Sequence, residues 1–507
     1  MFYRYETNWE GDPMRPLDLY EKDASKKVTI YFEGKALKAY EGEKLPVALL
    51  ANGIYWITTS LQGRKRGAFT FGPLPVIVNG VKNINGRKTL VKDGMRIERQ
   101  NYGEFQETVE IDESKGVLRE VVDVAIIGGG IAGIGAALEL QDYLTVALIE
   151  ERGWLGGLMS LKSTQQEGFE GEPKKVIKEL TSQFNENVKV FKGTIALGVF
   201  DEGEYFLVPV VKKDQLIEIM AKRVVLATGA VENILLFENN EFPGVFRLDF
   251  ALEVINKWGV APGKRVAVVG RKPERIIPEL ERWNIEYIVV PNPKRVEGEE
   301  KVERLIDTNG NVYEVDAVIV SDYRLPDINP ITQAGGKLKF KWGYYVPVLD
   351  EQNRIREGIY VAGSANGIKP HYTNYLEGKL VGAYILREFG YEAIPAVYRE
   401  KLEEYEPEPM PMQRIEFKDM NLEDVQICGC DVNLKKVDDV VKKGITDLQI
   451  VKRLTHLAMG FCQGRFCLFN GALLVSQRTG IDMAKIDLPV ARPPLKNVRM
   501  KVTAVRE

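Results

Sequence analysis

The sequence predicts an α/β protein of several domains built around a parallel sheet. Apolar strands run into glycines and alternate with helical segments, as in VVDVAIIGGG, IAGIGAALELQD and YLTVALIEE. A β-rich segment precedes this unit, and a helical segment that contains all four cysteines follows it. With 507 residues the chain is long enough for about three or four domains.

Composition limits the classes of function. The chain has 69 Lys and Arg against 72 Asp and Glu, so we expect no broad basic surface for nucleic acid. It has no run of about 18 apolar residues and no signal peptide at its start, which favours a cytoplasmic protein, at most peripheral to a membrane, with no transmembrane segment. Because there are only two histidines, a multi-histidine metal site is excluded. The abundant Lys and Glu weakly favour a thermophile.

The first part of the chain is predicted to be an arm, residues 1–26, followed by a small β-rich domain, residues 27–105. KVTIYFEG alternates as a half-buried strand does, EKLPVALLANG predicts a short helix, and PVIVNG predicts another strand. This order is similar to the β-grasp ferredoxin fold. The segment has no cysteine, so we expect a structural or interface role without a cluster.

The clearest motif is Gly128-Gly129-Gly130-Ile131-Ala132-Gly133, which matches G-x-G-x-x-G between a strand and a helix. Gly128 permits the tight turn, Gly130 lets a pyrophosphate approach the backbone, and Gly133 lets the helix pack on the strand. The first helical residues, Ile131 and Ala132, offer free N–H groups to a phosphate. The motif predicts an adenine-nucleotide site, with a glycine turn used only for packing as the alternative.

An acidic residue supports the nucleotide interpretation. Glu150 ends the second strand, 22 residues after Gly128, where an acid binds the ribose hydroxyls. Its charge disfavours a 2′-phosphate, and therefore NADP.

Three further motifs resemble two-dinucleotide-domain flavoproteins such as glutathione reductase. Glu151, Arg152, Gly156 and Gly157 lie in a Glu-then-Gly-Gly stretch, Ala227-Thr228-Gly229 ends a strand, and Gly363-Ser364 precedes a helix. The resemblance implies a glutathione-reductase-like fold. Residues 115–255 and 336–400 would form the FAD-type nucleotide domain, and residues 256–335 would form a second Rossmann-like domain.

Two departures from that family affect the ligand. Ser364 stands where the family has an acid that holds the ribityl chain of FAD. Loss of that charge-assisted hydrogen bond would weaken FAD binding by roughly 1.5–3 kcal/mol, or about 10–100-fold in affinity. The main site is therefore predicted to hold an adenine nucleotide, either ATP or FAD. In the second domain the loop Gly270–Arg275 lacks the later glycines, so we expect a scaffold more than an NAD(P)H site. There Arg271, Lys272 and Arg275 would bind a phosphate or lie on the surface.

All four cysteines follow a proline-broken linker, residues 401–420, in a C-terminal helical domain, residues 421–507. Cys428, Cys430, Cys462 and Cys467 have the spacing C-x-C…C-x4-C. Four thiolates suit a [2Fe–2S] cluster or zinc, and metal-free thiols or a disulfide remain a third interpretation. With GFCQGRFC, the spacing resembles the [2Fe–2S] domain of bacterioferritin-associated ferredoxin. Arg465 would offset thiolate charge or lie on the surface.

The whole chain resembles the α subunits of sarcosine oxidase, opine oxidases and hydrogen cyanide synthase. Phrases such as RKRGAFTFGP, LIEERGWLGG and LEDVQICGCDV resemble most the α subunit of archaeal dye-linked L-proline dehydrogenase. The resemblance implies an α/β hetero-oligomer in which an FAD-containing β subunit oxidises L-proline. It also implies an FMN at the subunit interface that relays electrons, and an adenine nucleotide in this chain.

Two other functions remain open from the residues. One is an NAD(P)H-dependent flavin reductase or diaphorase, and the other is a structural ATP-binding subunit of an amino-acid oxidase complex. No positioned base for proline oxidation is recognisable, so the catalytic residues are unknown. His371 would reach a flavin or phosphate or only cap its helix, and His456 is interpreted as a packing residue.

Overall fold

The structure is a computed structural model that describes residues 26–60, 62–67, 74–100, 116–460, 462–496 and 498. The predicted arm lies outside the described residues except for Lys26. The described residues confirm the predicted α/β fold with an N-terminal β domain and a helical C-terminal domain. The domain boundaries given above stay predictions.

The N-terminal domain is a small mixed sheet with one helix. Its elements are β1 (Lys27–Phe32), β2 (Lys35–Tyr40), α1 (Leu45–Ala51), β3 (Trp56–Thr59), β4 (Lys65–Gly67), β5 (Pro75–Val78), β6 (Val81–Asn85) and β7 (Arg96–Arg99). The sheet order is β2-β1-β7-β5-β6, and β3 pairs with β4 as a separate antiparallel ribbon. Every residue of α1 is buried, so this helix closes the core of the domain.

The nucleotide-domain sheet begins at residue 118. The elements up to residue 247 are β8 (Leu118–Ile127), α2 (Ile131–Leu140), β9 (Val146–Glu150), α3 (Pro173–Thr181), β10 (Val188–Lys192), β11 (Thr194–Ala196), β12 (Phe200–Asp201), β13 (Phe206–Lys212), β14 (Gln215–Leu226), β15 (Ala230–Glu232) and β16 (Val245–Arg247).

A smaller α/β unit follows, with a second parallel sheet of order β16-β22-β17-β18. Its elements, with the hairpin that follows it, are α4 (Leu248–Trp258), β17 (Arg265–Val269), α5 (Ile277–Arg282), β18 (Glu286–Val290), β19 (Pro293–Glu297), β20 (Arg304–Asp307), β21 (Val312–Glu314), β22 (Ala317–Val320), β23 (Arg324–Pro326), α6 (Asn329–Gln333), β24 (Leu338–Lys341) and β25 (Tyr344–Pro347).

The chain then returns to the first sheet and ends in the helical domain. The remaining elements are β26 (Arg354–Arg356), β27 (Ile359–Val361), α7 (His371–Glu388), α8 (Pro395–Leu402), β28 (Gln426–Cys428), β29 (Val432–Asn433), α9 (Leu434–Val441), α10 (Leu448–Thr455) and α11 (Leu468–Thr479). None of the helices in the described part of the chain combines the length and the apolar character needed to cross a membrane.

The parallel strands of the main sheet lie in the order β10-β9-β8-β14-β27. Because they are parallel, their carboxyl ends meet at one edge, which is where open α/β sheets bind ligands. Helix α7 packs closely against α2 beside that edge. A Cβ atom at Gly378 would lie 1.9 Å from the carbonyl oxygen of Ala132, so only glycine permits this approach.

Candidate functional site: a nucleotide cavity beside four thiols

A cavity of about 870 Å³ lies at the carboxyl edge of the main sheet, a size within the usual range for small-molecule and cofactor sites. The structure brings together every predicted cofactor-binding residue except Gly133 on its wall. These residues are Gly128, Gly130, Ile131, Ala132, Glu150, Glu151, Arg152, Gly156, Gly157, Ala227, Thr228, Gly229, Gly363 and Ser364. Hereafter this space is called the nucleotide cavity.

The glycine loop separates into packing positions and an open position. Gly128 has φ +115°, and a Cβ atom there would lie 2.2 Å from the carbonyl oxygen of Ala227. A Cβ atom at Gly133 would lie 2.0 Å from the carbonyl oxygen of Gly128. At Gly130 the nearest atom to an added Cβ would be the Cα of Gly157, at 4.0 Å. Gly130 therefore faces free space, as the phosphate interpretation requires.

Glu150, the last residue of β9, and Glu151, which follows it, have different partners. Glu150 accepts backbone hydrogen bonds from Gly129 at 2.9 Å and from Arg152 at 2.7 Å. Burial raises the pKa of Glu150 above its usual value. Each carboxylate oxygen has two lone pairs, so both keep capacity to accept from a ribose hydroxyl. Glu151 instead pairs with Lys496, whose charge lowers the pKa of Glu151 to about 2.

Four residues that line the cavity each have a buried polar atom without a partner among the described residues. These atoms are the hydroxyl oxygen of Thr228, Oδ1 of Asn374, Oδ1 of Asp327 and Nε of Arg465. The other end of the Asn374 amide donates to the hydroxyl of Ser364 at 3.1 Å. An unsatisfied buried polar group costs about 1–3 kcal/mol, which a bound ligand would remove. The residues present therefore fit a polar ligand such as a nucleotide.

Five cations that line the cavity are residues that sequence reasoning missed or placed elsewhere. Lys162, Arg275, Arg324, Arg465 and Lys496 all line it. They come from segments that are far apart in the sequence. Burial lowers the pKa of Lys162 to about 8.

His371 lies among these cations. Burial, together with the charges of Lys162, Arg324 and Arg275, lowers the pKa of His371 to about 4. Its imidazole is therefore neutral at pH 7 and can donate one hydrogen bond into the cavity. This position fits a ligand-facing role. The prediction that the other histidine, His456, is a packing residue is wrong, because its side chain is exposed and it caps the C-terminal end of α10 with φ +64°.

The four cysteines converge in the C-terminal domain, and this group is called the thiol centre below. All four are free, and the thiols of Cys430 and Cys467 hydrogen-bond to the sulfur of Cys428. These bonds lower the pKa of Cys428 and raise the pKa values of its two donors. A disulfide is therefore not present, in contrast to one of the interpretations left open by the sequence.

Backbone N–H groups also point at the sulfurs. Gly464 and Phe466 donate to Cys462, and Cys430 and Ala458 donate to Cys428. Hydrogen bonds of this kind tune iron–sulfur centres. Within the described ranges, no three His, Cys, Asp or Glu side chains stand in the geometry of a metal-ion site. The features that fit a cluster are therefore the four thiol ligands and the backbone amides that donate hydrogen bonds to two of their sulfurs.

The thiol centre and the nucleotide cavity share a wall. Arg465, between Cys462 and Cys467, lines the cavity and forms an ion pair with Asp327 at 2.7 Å. Asn329, which also lines the cavity, donates its side-chain amide to the carbonyl oxygen of Cys462 at 3.1 Å. Arg465 is thus neither a simple surface residue nor isolated from the ligand site.

The second glycine loop is covered by the linker. Arg271 pairs with Asp322 at 2.6 Å and also donates to the carbonyl oxygen of Pro411. Arg275 pairs with Glu408 at 2.6 Å, and Lys272 pairs with the same carboxylate. These three cations are therefore neither a free phosphate site nor solvated surface. They hold the linker in place over the loop.

Three family descriptions match parts of the chain. Residues 25–102 match a 2Fe-2S iron-sulfur cluster binding domain, although that segment has no cysteine. Residues 122–270 match the pyridine nucleotide-disulphide oxidoreductases, and residues 425–506 match the sarcosine oxidase A3 domain. The matches lie in the order that the sequence predicts for these three kinds of domain.

Two curated relatives are sarcosine oxidase α subunits. The protein from Rhizobium meliloti (strain 1021) is 24% identical over 93% of this chain and 57% of its own length. The protein from Corynebacterium sp. (strain U-96) is 25% identical over 70% of this chain and 39% of its own length. The chain thus spans about half the length of these relatives or less.

A solved structure is much more similar. The crystal structure of L-proline dehydrogenase from P. horikoshii is 69% identical, with a TM-score of 0.93, and the match covers 97% of this chain and all of that one. This similarity confirms the family that the sequence motifs predict. The chain belongs to the L-proline dehydrogenase and sarcosine oxidase α-subunit family of oxidoreductases.

Proposed function

We propose that this chain is the electron-transferring α-type subunit of a hetero-oligomeric dye-linked L-proline dehydrogenase. It binds an adenine nucleotide in the nucleotide cavity, holds a [2Fe–2S] cluster at the thiol centre, and accepts electrons from an FAD-containing partner that oxidises proline. The observation that carries this proposal is the shared wall of Arg465 and Asn329 between the cavity and the thiols.

The lining of the cavity favours ATP over FAD. Lys162 offers a positive charge on the wall of the cavity, and both Lys162 and the neutral His371 can donate hydrogen bonds to phosphate oxygens. An isoalloxazine ring would bring an apolar, uncharged surface to the same wall. Ser364 adds to this preference, because a serine hydroxyl bound by Asn374 replaces the acid that holds the ribityl chain in related flavoproteins.

Four thiols with backbone amide donors supply the ligand type that a [2Fe–2S] cluster needs. Such a cluster supplies one-electron transfer when it is bound. In this chain Cys428, Cys430, Cys462 and Cys467 would hold it. Arg465 would place a positive charge between the cluster ligands and the nucleotide.

The relatives and the chemistry of the cavity support the proposal of a partner subunit. Two relatives are named as α subunits, and the solved relative is named as an L-proline dehydrogenase. Oxidation of a CH–NH bond needs a group that accepts two electrons. The cavity presents cations that are paired with carboxylates and a neutral His371, and none of these side chains accepts electrons. We therefore assign proline oxidation to the FAD of the partner and keep the interfacial FMN as a prediction of the family resemblance.

An NAD(P)H-dependent flavin reductase is less well supported. Such an enzyme needs an accessible second nucleotide loop. Here Glu408 and Pro411 of the linker contact the cations of that loop, so NAD(P)H phosphates would have to displace them.

The nucleotide released on denaturing the purified chain tests the assignment of the cavity. We expect about one ATP per chain and no FAD, and Ser364→Asp should shift binding towards FAD. Stoichiometric FAD that survives in Ser364→Ala would show that the ribityl argument is wrong. No released nucleotide, with no change in melting temperature on adding ATP or FAD, would reject the site.

A further inference from the structure

Arg66, in β4 of the cysteine-free N-terminal domain, lies directly behind the Cys-x-Cys loop, residues 428–431. Its side chain is 1% exposed and is among the largest fully buried side chains in the described residues. A buried arginine must satisfy all its donors to avoid a large desolvation penalty. The residues that accept hydrogen bonds from Arg66 therefore indicate what β4 holds in place.

The guanidinium bonds to three residues in two parts of the chain. It donates to Glu241 at 2.9 and 3.1 Å, to Asp431 at 2.6 Å, and to the carbonyl oxygen of Gly429 at 3.2 Å. Gly429 lies between two of the cysteines, and Asp431 follows the second. One planar group thus fixes both the backbone and the side chain of the Cys-x-Cys loop, which a lysine could not do.

A neighbouring residue adds to the same contact. The side-chain amide of Gln62 donates to the carbonyl oxygen of Asp431 at 3.2 Å. Asp431 has φ +60°, an uncommon conformation for a residue other than glycine. The turn that carries Cys430 is therefore held from the N-terminal domain and not only from its own domain.

The charge of Arg66 also reaches the thiols. Its guanidinium donates to the carbonyl oxygen of Gly429, between Cys428 and Cys430, at 3.2 Å, so its positive charge lies beside the peptide that joins these two residues. A positive charge beside a cluster ligand stabilises the reduced, more negative state of the cluster. The cysteine-free domain thereby acts on a redox centre that it does not contain.

We propose that Arg66 is the positioning residue of the thiol centre, through which the N-terminal domain fixes the Cys-x-Cys loop and raises the reduction potential of the cluster. The effect on the potential rests on the proposed function, because it needs a cluster. The effect on the loop does not, since the contacts exist between protein atoms alone.

Two measurements on the full chain test the two effects. Hydrogen exchange of residues 426–433 should speed up about tenfold in Arg66→Gln, while residues 131–140 exchange as in the wild type. In the cluster-loaded chain the same substitution should lower the reduction potential of the cluster by about 59 mV. For a one-electron couple, this shift is about a tenfold fall in the ratio of reduced to oxidised cluster at a fixed applied potential.

Two other variants separate position from charge. Arg66→Lys keeps the positive charge but not the planar set of guanidinium donors. Hydrogen exchange of the Cys-x-Cys loop should therefore still speed up, while the ratio of reduced to oxidised cluster should change less than twofold. Lys65→Gln removes the same charge from the opposite face of β4, where its ammonium group bonds to the carbonyl oxygen of Glu299 at 2.9 Å. It should change neither readout.

The proposal is overturned if folded Arg66→Gln leaves hydrogen exchange of the loop at the wild-type rate. If Arg66→Gln does not fold, the same result in folded Arg66→Lys overturns the proposal. It is also overturned if the potential of loaded Arg66→Gln does not fall, or if Lys65→Gln shifts both readouts equally. A wild-type chain without iron would reject the proposed cluster, while faster loop exchange in that metal-free chain would still support the positioning role.

Discussion

Arg465 and Asp327 form an ion pair at 2.7 Å that joins the Cys462–Cys467 loop to the wall of the nucleotide cavity. Asp327 is only 3% exposed, and its Oδ1 has no hydrogen-bond partner in the described part of the chain. Nε of Arg465 is likewise buried without such a partner there. The pair is therefore incompletely satisfied, and a nucleotide phosphate could take over the free donor.

Replacing Arg465 by Gln should weaken ATP binding about tenfold, because one charge-assisted hydrogen bond is lost. It should also lower the free energy of unfolding by about 1–3 kcal/mol, since Asp327 would stay buried without its cation. Calorimetric titration and denaturant unfolding measure the two effects. Arg453→Gln, on the exposed side of α10, is the control and should change neither.

Gly130→Val should lower nucleotide affinity by about 100-fold or more, because its side chain would fill the space beside the glycine loop. The melting temperature without ligand should stay near that of the wild type, since a Cβ atom there meets only the Cα of Gly157 at 4.0 Å. Gly133→Val is the contrasting variant. Its Cβ would lie 2.0 Å from the carbonyl oxygen of Gly128, so it should fail to fold. Tight ATP binding by Gly130→Val would contradict the placement of the phosphates.

Nucleotide affinity should fall as the pH rises through the pKa of Lys162. Burial lowers that pKa to about 8, so the ammonium group is charged at pH 7 and loses its proton above pH 8. We expect about a tenfold loss of ATP affinity between about pH 7 and 9.5, as one charged donor is lost. Titrations across this range measure it, and Lys162→Arg should remove most of the slope. A slope that is equal in the variant would assign the effect to another group.

Iron and acid-labile sulfide should each approach two per chain after anaerobic purification, which is the composition of a [2Fe–2S] cluster. Cys462→Ser should lose both, because four thiolates are needed. Stoichiometric zinc without iron would replace the cluster by a tetrahedral zinc site, and it would make an electron-transfer role for this domain untenable.

The convergence of the glycine loop and the strand-end residues on one cavity was predictable because their signals are local. Gly128 to Gly133, Glu150 and Thr228 lie at the carboxyl ends of parallel strands that the apolar runs already indicate, and a parallel sheet brings these ends together. The four cysteines stood out by being confined to one segment. Their closeness in space follows from the helical domain that packs around them.

The remaining residues of the cavity wall and the residues that hold the thiol centre depend on contacts between distant parts of the chain. Arg66 bonds to Asp431 across 365 positions, and Lys496 pairs with Glu151 across 345. No periodicity or motif marks such residues, because an arginine in GRKRG is equally typical of a solvated turn. The same limit explains Arg271 and Arg275, whose partners on the linker and at Asp322 the sequence does not indicate.

The most direct test is the visible spectrum of the cluster-loaded chain after L-proline is added, alone and with its FAD-containing partner. The account predicts no bleaching for the chain alone and rapid bleaching of the cluster absorption in the complex, which Cys462→Ser should abolish. Proline-dependent dye reduction by the isolated chain would contradict it. So would a complex that turns over proline while the cluster of this chain stays oxidised.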